Sequence, residues 1–161
     1  MLDVAANAQP LWAAHDDQLD VLTIPFLGDR WTWQYPFRSL RAAGAVVAMG
    51  SDWSVSSPNP LWEMHIAVER RAPKFYAGER DVFLPDERLD LIDALAGFTC
   101  NAAYVNHLDD QTGTIEVGKL ADLAILDRDL FARGEGAIAD TRVVGTFVEG
   151  VSVYETADLG G

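Results

Sequence analysis

The sequence predicts an α/β fold followed by a β-rich tail. The run 45–49, Ala-Val-Val-Ala-Met, is apolar at every position, as strands of parallel sheets covered by helices are. The segment 36–44 just before it is typical of a short helix, with Pro36 near its start and Gly44 just past its end. From Gly113 onward the apolar period changes from helical to strand-like, which predicts the tail.

The segment before this unit contains a short strand and a long connection. Residues 4–10 form a β-type run that Pro10 closes. Residues 12–35 carry four tryptophan or tyrosine rings and no steady apolar period. We therefore predict a long functional loop over residues 12–35.

Three helices are expected after the buried strand. Apolar positions over 61–71 follow a helical face that ends in basic residues. Asp90 and Asp93 mark a second helix start, because acidic and capping residues are favoured in the first helical turn. We expect the hydroxyl of Thr99 to cap a third helical segment.

The tail is predicted to contain a strand and a hairpin. The strand covers residues 121–127, which are mainly apolar. Residues 141–148 and 151–154 flank Glu149-Gly150, a pair of turn residues between two strand-like runs.

Charge and composition exclude several classes of function. The chain has 161 residues and a formal net charge of -13, from 25 acidic and 12 basic side chains. This balance argues against nucleic acid or an anionic membrane surface as a partner, because both require clustered Lys and Arg. No apolar run approaches the length that crosses a bilayer. Cys100 is the single cysteine, so no internal disulfide can form, and we expect a cytoplasmic protein.

Asp52 is the leading candidate for chemistry. It follows the buried strand 45–49, and α/β barrels collect catalytic groups at the carboxyl ends of their strands. A carboxylate held there can ligate a divalent metal and accept a proton from water. The alternative is a structural aspartate that caps a helix or a turn.

The histidines and the cysteine form no recognisable metal motif. His15, His65 and His107 are too far apart in the chain for H-x-H or H-E-x-x-H. His65 is interpreted as a packed or surface helix residue, and His107 as a residue near a helix end. His15 follows the first strand and could share a layer with Asp52, but the preferred interpretation is a solvated loop histidine beside Asp16 and Asp17. Cys100 has no adjacent base and is interpreted as an inert thiol.

Arg30 and Trp53 are candidate substrate-binding residues. Arg30 lies among aromatic residues, where a guanidinium can hold a carboxylate or a carbonyl group of a substrate. An ordinary ion pair with Asp29 is the competing interpretation. Trp53 and the tryptophans at 12, 31 and 33 could line an apolar pocket, or they could be plain packing.

Several segments together resemble the amidohydrolase superfamily. They are Gly50-Ser51-Asp52-Trp53, the segment 99–104, and the segment 113–127. Residues 5–10, 28–30 and 35–40 are similar to the amidohydrolase 3 branch, which includes N-substituted formamide deformylase. The resemblance covers nearly the whole chain, which aligns with only the last part of such enzymes.

The resemblance implies a fold and a cofactor. Residues 1–112 would supply the seventh and eighth strands of a metal-dependent (β/α)8 TIM barrel with the helices that follow, and residues 113–161 would supply strands of a small β-sandwich. The metal is expected to be divalent, zinc in one or two ions, with most of its ligands outside this chain. Asp52 would contact the metal and carry a proton from the attacking water to the leaving nitrogen. Ser54 stands where this branch usually has proline, so the turn should be looser.

Two functions remain open at this stage. The first is part of a metal-dependent hydrolase of carbon–nitrogen bonds that acts on a small-molecule substrate. The second is a catalytically inactive module used for binding or assembly. In both cases we expect the chain to associate with the remainder of the enzyme or with copies of itself.

Overall fold

The computed structural model describes residues 4–132 and 138–157, which form a mixed α/β structure with two small sheets. Strands β1 (Ala6–Ala8) and β2 (Val47–Met49) make the first sheet. They pair in parallel, with Ala6 opposite Val47 and Ala8 opposite Met49. Every residue of β2 is buried, which confirms the prediction of a strand covered on both faces.

The connection between β1 and β2 is more helical than expected. A 3-10 turn (Pro10–Trp12) follows β1. The remaining elements are α1 (Asp17–Leu22), α2 (Ile24–Leu27), a 3-10 segment (Gly28–Trp33) and α3 (Phe37–Ala42). The prediction of α3 is confirmed, whereas the prediction of a long loop over 12–35 is wrong. The Asp16 side chain accepts a hydrogen bond from the N–H of Leu19 at 2.6 Å, so a local cap starts α1.

Among the described residues, four α-helices and a 3-10 turn (Pro85–Glu87) follow β2. The α-helices are α4 (Pro60–Glu69), α5 (Lys74–Ala77), α6 (Leu91–Phe98) and α7 (Cys100–Val105). The helices expected over 61–71 and after Asp90 are confirmed, although the Asp90 side chain makes no capping hydrogen bond. The predicted cap by Thr99 is wrong. Its hydroxyl donates to the carbonyl of Leu95 in α6 at 2.7 Å. It makes no capping hydrogen bond to the backbone N–H groups at the start of α7.

Helices α6 and α7 pack directly on β2 and hold it in place. Gly97 of α6 approaches Met49 so closely that an added Cβ would lie 2.8 Å from the Met49 Cγ. Asn101 of α7 donates from Nδ2 to the carbonyl of Val47 at 3.0 Å. The backbone groups of successive residues point to opposite edges of a strand. The carbonyl of Val46 accepts the N–H of Ala6 beside β1, so the backbone groups of Val47 point to the opposite edge of β2.

The second sheet is antiparallel, with the order β3, β4, β5. Its strands are β3 (Leu123–Leu126), β4 (Val143–Val148) and β5 (Val151–Glu155). The predicted hairpin is confirmed, and Glu149 and Gly150 both have positive φ angles, of 51° and 79°. Many apolar side chains of this sheet are exposed.

Across the described residues, no helix combines the length and the apolar character that crossing a bilayer would require.

Candidate functional site

The carboxyl ends of β1 and β2 lie side by side. The N–H of Gly50 donates to the carbonyl of Ala8 at 3.0 Å, which extends the parallel pairing one residue past β2. Residues 51–56 then form a closed turn. Ser51 accepts from the N–H of Trp53 through Oγ at 3.2 Å and from the hydroxyl of Ser56 through its carbonyl. The turn that carries Asp52 is therefore closed on itself, and it is attached to the sheet through Gly50.

Asp52 occupies a left-handed backbone conformation at the start of this turn, with φ at 56°. Its carbonyl accepts the N–H of Val55 at 2.8 Å. Its carboxylate is exposed and makes no hydrogen bond within residues 4–132 and 138–157. This arrangement fixes the backbone and leaves the side chain available, which is what a metal ligand or a general base requires.

Arg30 and Trp53 are not brought into contact with each other. Arg30 is exposed and donates from Nε to the carbonyl of Leu27 at 3.2 Å, rather than pairing with Asp29. The ring of Trp53 is 70% exposed, and Trp33 is 82% exposed. These two indoles therefore form no closed apolar pocket in the described part of the chain. Trp31 instead lies 6.1 Å from the ring of Phe83.

The three histidines occupy three different environments. His15 pairs through Nδ1 with Asp20 at 2.5 Å and packs edge-on against Phe83. His65 is buried in α4, and burial lowers its pKa, which opposes a charged role. His107 is exposed just after α7 and has a positive φ angle of 58°. The interpretation of His65 as a packed helix residue agrees with this position.

The metal-binding side chains of the described residues do not by themselves complete a metal site. Within the described ranges, no group of three or more His, Cys, Asp or Glu side chains is placed to hold a metal ion. A protein zinc site needs several nitrogen, sulfur or oxygen ligands around one point. Asp52 can contribute a single carboxylate, so the other ligands would have to come from outside these residues.

Glu63 is an important residue that the sequence interpretation did not single out. It lies in the first turn of α4 and is fully buried. Its Oε2 accepts the N–H of Leu11 at 2.7 Å, which ties α4 to the turn that follows β1. Burial raises its pKa to about 7, and the Leu11 N–H partly opposes the rise. A glutamate within the apolar stretch Leu61 to Ile66 was the available signal, but its partner is distant in sequence.

Arg70 is the second residue that was missed. It is fully buried just after α4, with Nε donating to the carbonyl of Phe83 at 3.0 Å and Nη1 to that of Tyr35 at 3.2 Å. Its guanidinium lies 5.2 Å from the Phe37 ring centre and 5.3 Å from that of Phe83. Desolvation lowers its pKa to about 10. Nothing in the sequence separates Arg70 from its neighbour Arg71.

Comparison with known proteins identifies relatives that are several times longer than this chain. The chain is 37% identical over 123 residues to Protein LONG AFTER FAR-RED 3 of Arabidopsis thaliana, covering 74% of this chain and 20% of that protein. It is 34% identical over 121 residues to N-substituted formamide deformylase of Arthrobacter pascens, and the match covers 75% of this chain and 21% of that protein. Imidazolonepropionase of Brucella suis is 34% identical over 98 residues, covering 61% and 21%. The chain therefore spans about a fifth of the length of the curated relatives it matches.

Two solved structures share the fold. A metal-dependent hydrolase from Pyrococcus furiosus superposes with a TM-score of 0.55 at 24% identity, over 73% of this chain and 22% of that one. An amidohydrolase from Thermotoga maritima superposes with a TM-score of 0.51 at 22% identity, over 76% and 26%. The small parallel and antiparallel sheets are thus similar to part of amidohydrolase structures.

The family model described as amidohydrolase family matches residues 2–154, which is almost the whole chain and includes both sheets and Asp52. This match agrees with the segments that resembled the amidohydrolase 3 branch. The chain belongs to the amidohydrolase 3 family.

Proposed function

We propose that this chain is part of a metal-dependent hydrolase that cleaves a carbon–nitrogen bond of the non-peptide amide or formamide type. The observation that carries the proposal is the position of Asp52. Its carboxylate is exposed and free of hydrogen bonds at the carboxyl end of a buried parallel strand, beside the end of β1. Family membership and the similarity to N-substituted formamide deformylase support the same class of reaction.

The proposed architecture follows the family. Residues 1–112 would be the last two strands of a (β/α)8 barrel with their helices, and residues 113–161 would be strands of a β-sandwich. The parallel pairing of β1 with β2, and the packing of α6 and α7 on β2, are compatible with this assignment. The missing strands would come from the remainder of the enzyme.

In this proposal Asp52 acts as both a metal ligand and a proton carrier. A divalent metal, zinc in one or two ions, would supply Lewis acidity, and most of its ligands would lie outside this chain. Asp52 would take a proton from the attacking water and deliver it to the leaving nitrogen. Arg30 and Trp53 are proposed to contact the substrate, because both present exposed side chains. We propose the cytoplasm as the compartment.

The test uses the longest native chain that contains residues 1–161. This chain should be purified, its zinc content measured, and its hydrolysis of N-substituted formamides and other non-peptide amides assayed before and after chelation. The proposal predicts bound zinc and hydrolysis that chelation abolishes. If that chain binds zinc at no specific site and hydrolyses none of these compounds, the alternative holds, namely a catalytically inactive module for binding or assembly.

A further inference from the structure

A cavity of about 490 Å³ lies beside the C-terminal end of α4 and shares no lining residue with the turn that carries Asp52. Three cationic side chains line it: Arg71, Lys74 and Arg88. The whole chain has only 12 Lys and Arg against 25 acidic residues. Three cations at one cavity are therefore an unusual concentration of positive charge in this protein.

Two of these cations lack the carboxylate partners that other basic residues have. Arg80, for example, pairs with Asp17 at 2.8 Å, and Arg41 pairs with Asp93 at 3.0 Å. In the described part of the chain, neither Arg71 nor Arg88 forms an ion pair.

The hydrogen bonds of these two guanidinium groups are also incomplete. The Nε of Arg88 reaches only the backbone carbonyl of Glu69, at 3.4 Å. The Nε of Arg71 is buried and has no hydrogen-bond partner. A buried donor without an acceptor costs free energy, and a guanidinium fork matches the oxygens of a carboxylate. The terminal nitrogens of Arg71 and Arg88 have no acceptor among the described residues, so a ligand carboxylate in this cavity would give both guanidinium groups a partner.

The charge of the cavity favours a ligand with one negative charge. Glu69 and Asp140 also line it and partly balance the three cations. His65 lines it as well, and burial lowers the pKa of this histidine, so it remains uncharged at neutral pH. Lys74 is already paired with Glu79 at 3.4 Å, so Arg71 and Arg88 are the two lining cations that remain available to a ligand. A dianion would meet more repulsion from the two carboxylates than a monoanion would.

The remaining surface of the cavity is apolar. Pro73 and Phe75 contribute a pyrrolidine ring and a benzene ring, and Ala72 and Ala139 contribute methyl groups. Ligand sites commonly combine such surface with a few convergent polar groups. This combination selects a carboxylate that is attached to an apolar or aromatic group.

We propose that this cavity binds a small organic monocarboxylate, with its carboxylate at Arg71 and Arg88 and its apolar body against Pro73 and Phe75. The site is separate from Asp52 and does not depend on the hydrolytic activity proposed above.

The test is an isothermal titration calorimetry experiment in which benzoate is added to the longest native chain that contains residues 1–161. Benzamide is the neutral isostere, and phenyl phosphate is the dianionic comparison. We expect saturable binding of one benzoate per chain, weaker binding of phenyl phosphate, and none of benzamide. Arg71→Gln and Arg88→Gln should each weaken benzoate binding by about tenfold or more, since each removes a charge-assisted contact. Arg38→Gln changes an exposed arginine outside the cavity and should leave binding unchanged.

A second measurement needs no substitution and covers the case in which a variant fails to fold. Phenylglyoxal modifies accessible arginines, and bound benzoate should protect Arg71 and Arg88 but not Arg38, as peptide mass spectrometry would show. The proposal is overturned if benzamide or phenyl phosphate binds as well as benzoate, or if folded Arg71→Gln and Arg88→Gln variants bind benzoate normally. It is also overturned if benzoate neither saturates by about 10 mM nor protects these arginines.

Discussion

The carboxylate of Glu63 in α4 accepts the N–H of Leu11 at 2.7 Å, which joins the helix after β2 to the turn after β1. The contact brings together residues 52 positions apart in the chain. The turn that contains Leu11 follows the carboxyl end of β1, and α4 follows that of β2. This hydrogen bond therefore helps to position the edge where Asp52 lies. The strength of this hydrogen bond depends on whether the buried carboxyl group of Glu63 is ionised.

We predict that Glu63 makes the stability of the protein decrease as pH rises from 4.5 to about 7. Burial raises its pKa from 4.5 to about 7. In this window the folded chain holds a proton that the unfolded chain has lost, so stability falls with pH, by roughly 3 kcal/mol at most. Glu63→Gln keeps an acceptor for Leu11 and should remove this part of the pH dependence.

Urea denaturation of the wild type and of Glu63→Gln at several pH values would measure the effect. The difference between the two free energies of unfolding isolates Glu63, because the other titrating groups are common to both proteins. Glu155→Gln, at an exposed position in β5, serves as the control and should parallel the wild type. A difference that stays constant across this pH range would contradict the prediction.

Arg70→Met should destabilise the protein by about 2 kcal/mol or more. The substitution keeps an apolar stem but leaves the carbonyls of Phe83 and Tyr35 without the donor that they have now. Removing a desolvated charge offsets part of this loss, which is why the expected effect is moderate. Thermal denaturation would measure the change. Arg38→Met at an exposed position should change stability little, and a similar effect of both substitutions would refute the role given to Arg70.

Gly113→Ala should destabilise the protein more than Gly118→Ala. Both glycines have positive φ angles, of 90° and 99°, so alanine is strained at either position by about 1 kcal/mol. At Gly113 the new Cβ would also lie 2.6 Å from the Cβ of Ala103 and 3.0 Å from the Cα of Cys100, whereas nothing lies within 4 Å at Gly118. The overlap adds about 1 to 3 kcal/mol. Chemical denaturation of both variants checks the order, and equal losses would count against this close packing.

The sequence predicted elements whose cause is local and missed groups whose partners are distant. The strand over 45–49 and the turn at Glu149-Gly150 were predicted because continuous apolar character and turn residues are visible in short windows. The buried state of Glu63 depends on Leu11, and that of Arg70 depends on Tyr35 and Phe83, so no short window reveals either.

The error over residues 12–35 has a different cause. Helix α1 buries only Leu19, so it shows almost no apolar period, and its start depends on the cap at Asp16. The position of Asp52 after a buried strand was predicted, while its roles as a ligand and proton carrier remain proposals.

Asp52→Asn should reduce hydrolytic turnover by about 10²-fold to 10⁴-fold in the longest native chain, since an amide cannot accept the proton. The free energy of unfolding should change by less than about 0.5 kcal/mol, because the side chain is exposed and asparagine tolerates a left-handed φ. Steady-state kinetics with a circular dichroism spectrum would test both statements. Asp110→Asn, at an exposed loop position, is the matched control. A folded Asp52→Asn enzyme with a normal rate would show that another residue is the base.

The last prediction concerns residues 1–161 as an isolated chain, which we expect to associate rather than to remain a compact monomer. Asn7 of β1 is exposed and directs its backbone groups away from β2, and within the described residues no strand pairs with that edge. In the second sheet, Val151 and Val153 of β5 are 65% and 59% exposed. Open strand edges beside exposed apolar side chains favour pairing with another chain.

Size-exclusion chromatography with light scattering over a dilution series would measure this association. Val153→Lys should shift the distribution toward smaller species, because a charge on an exposed strand opposes edge-to-edge pairing. Val21→Lys in α1 changes an equally exposed valine, 61% accessible, away from both sheets and should have no such effect. A compact monomer that unfolds cooperatively at low concentration would contradict the prediction and would establish residues 1–161 as an independent folding unit, because two parallel strands would then be stable without further partners.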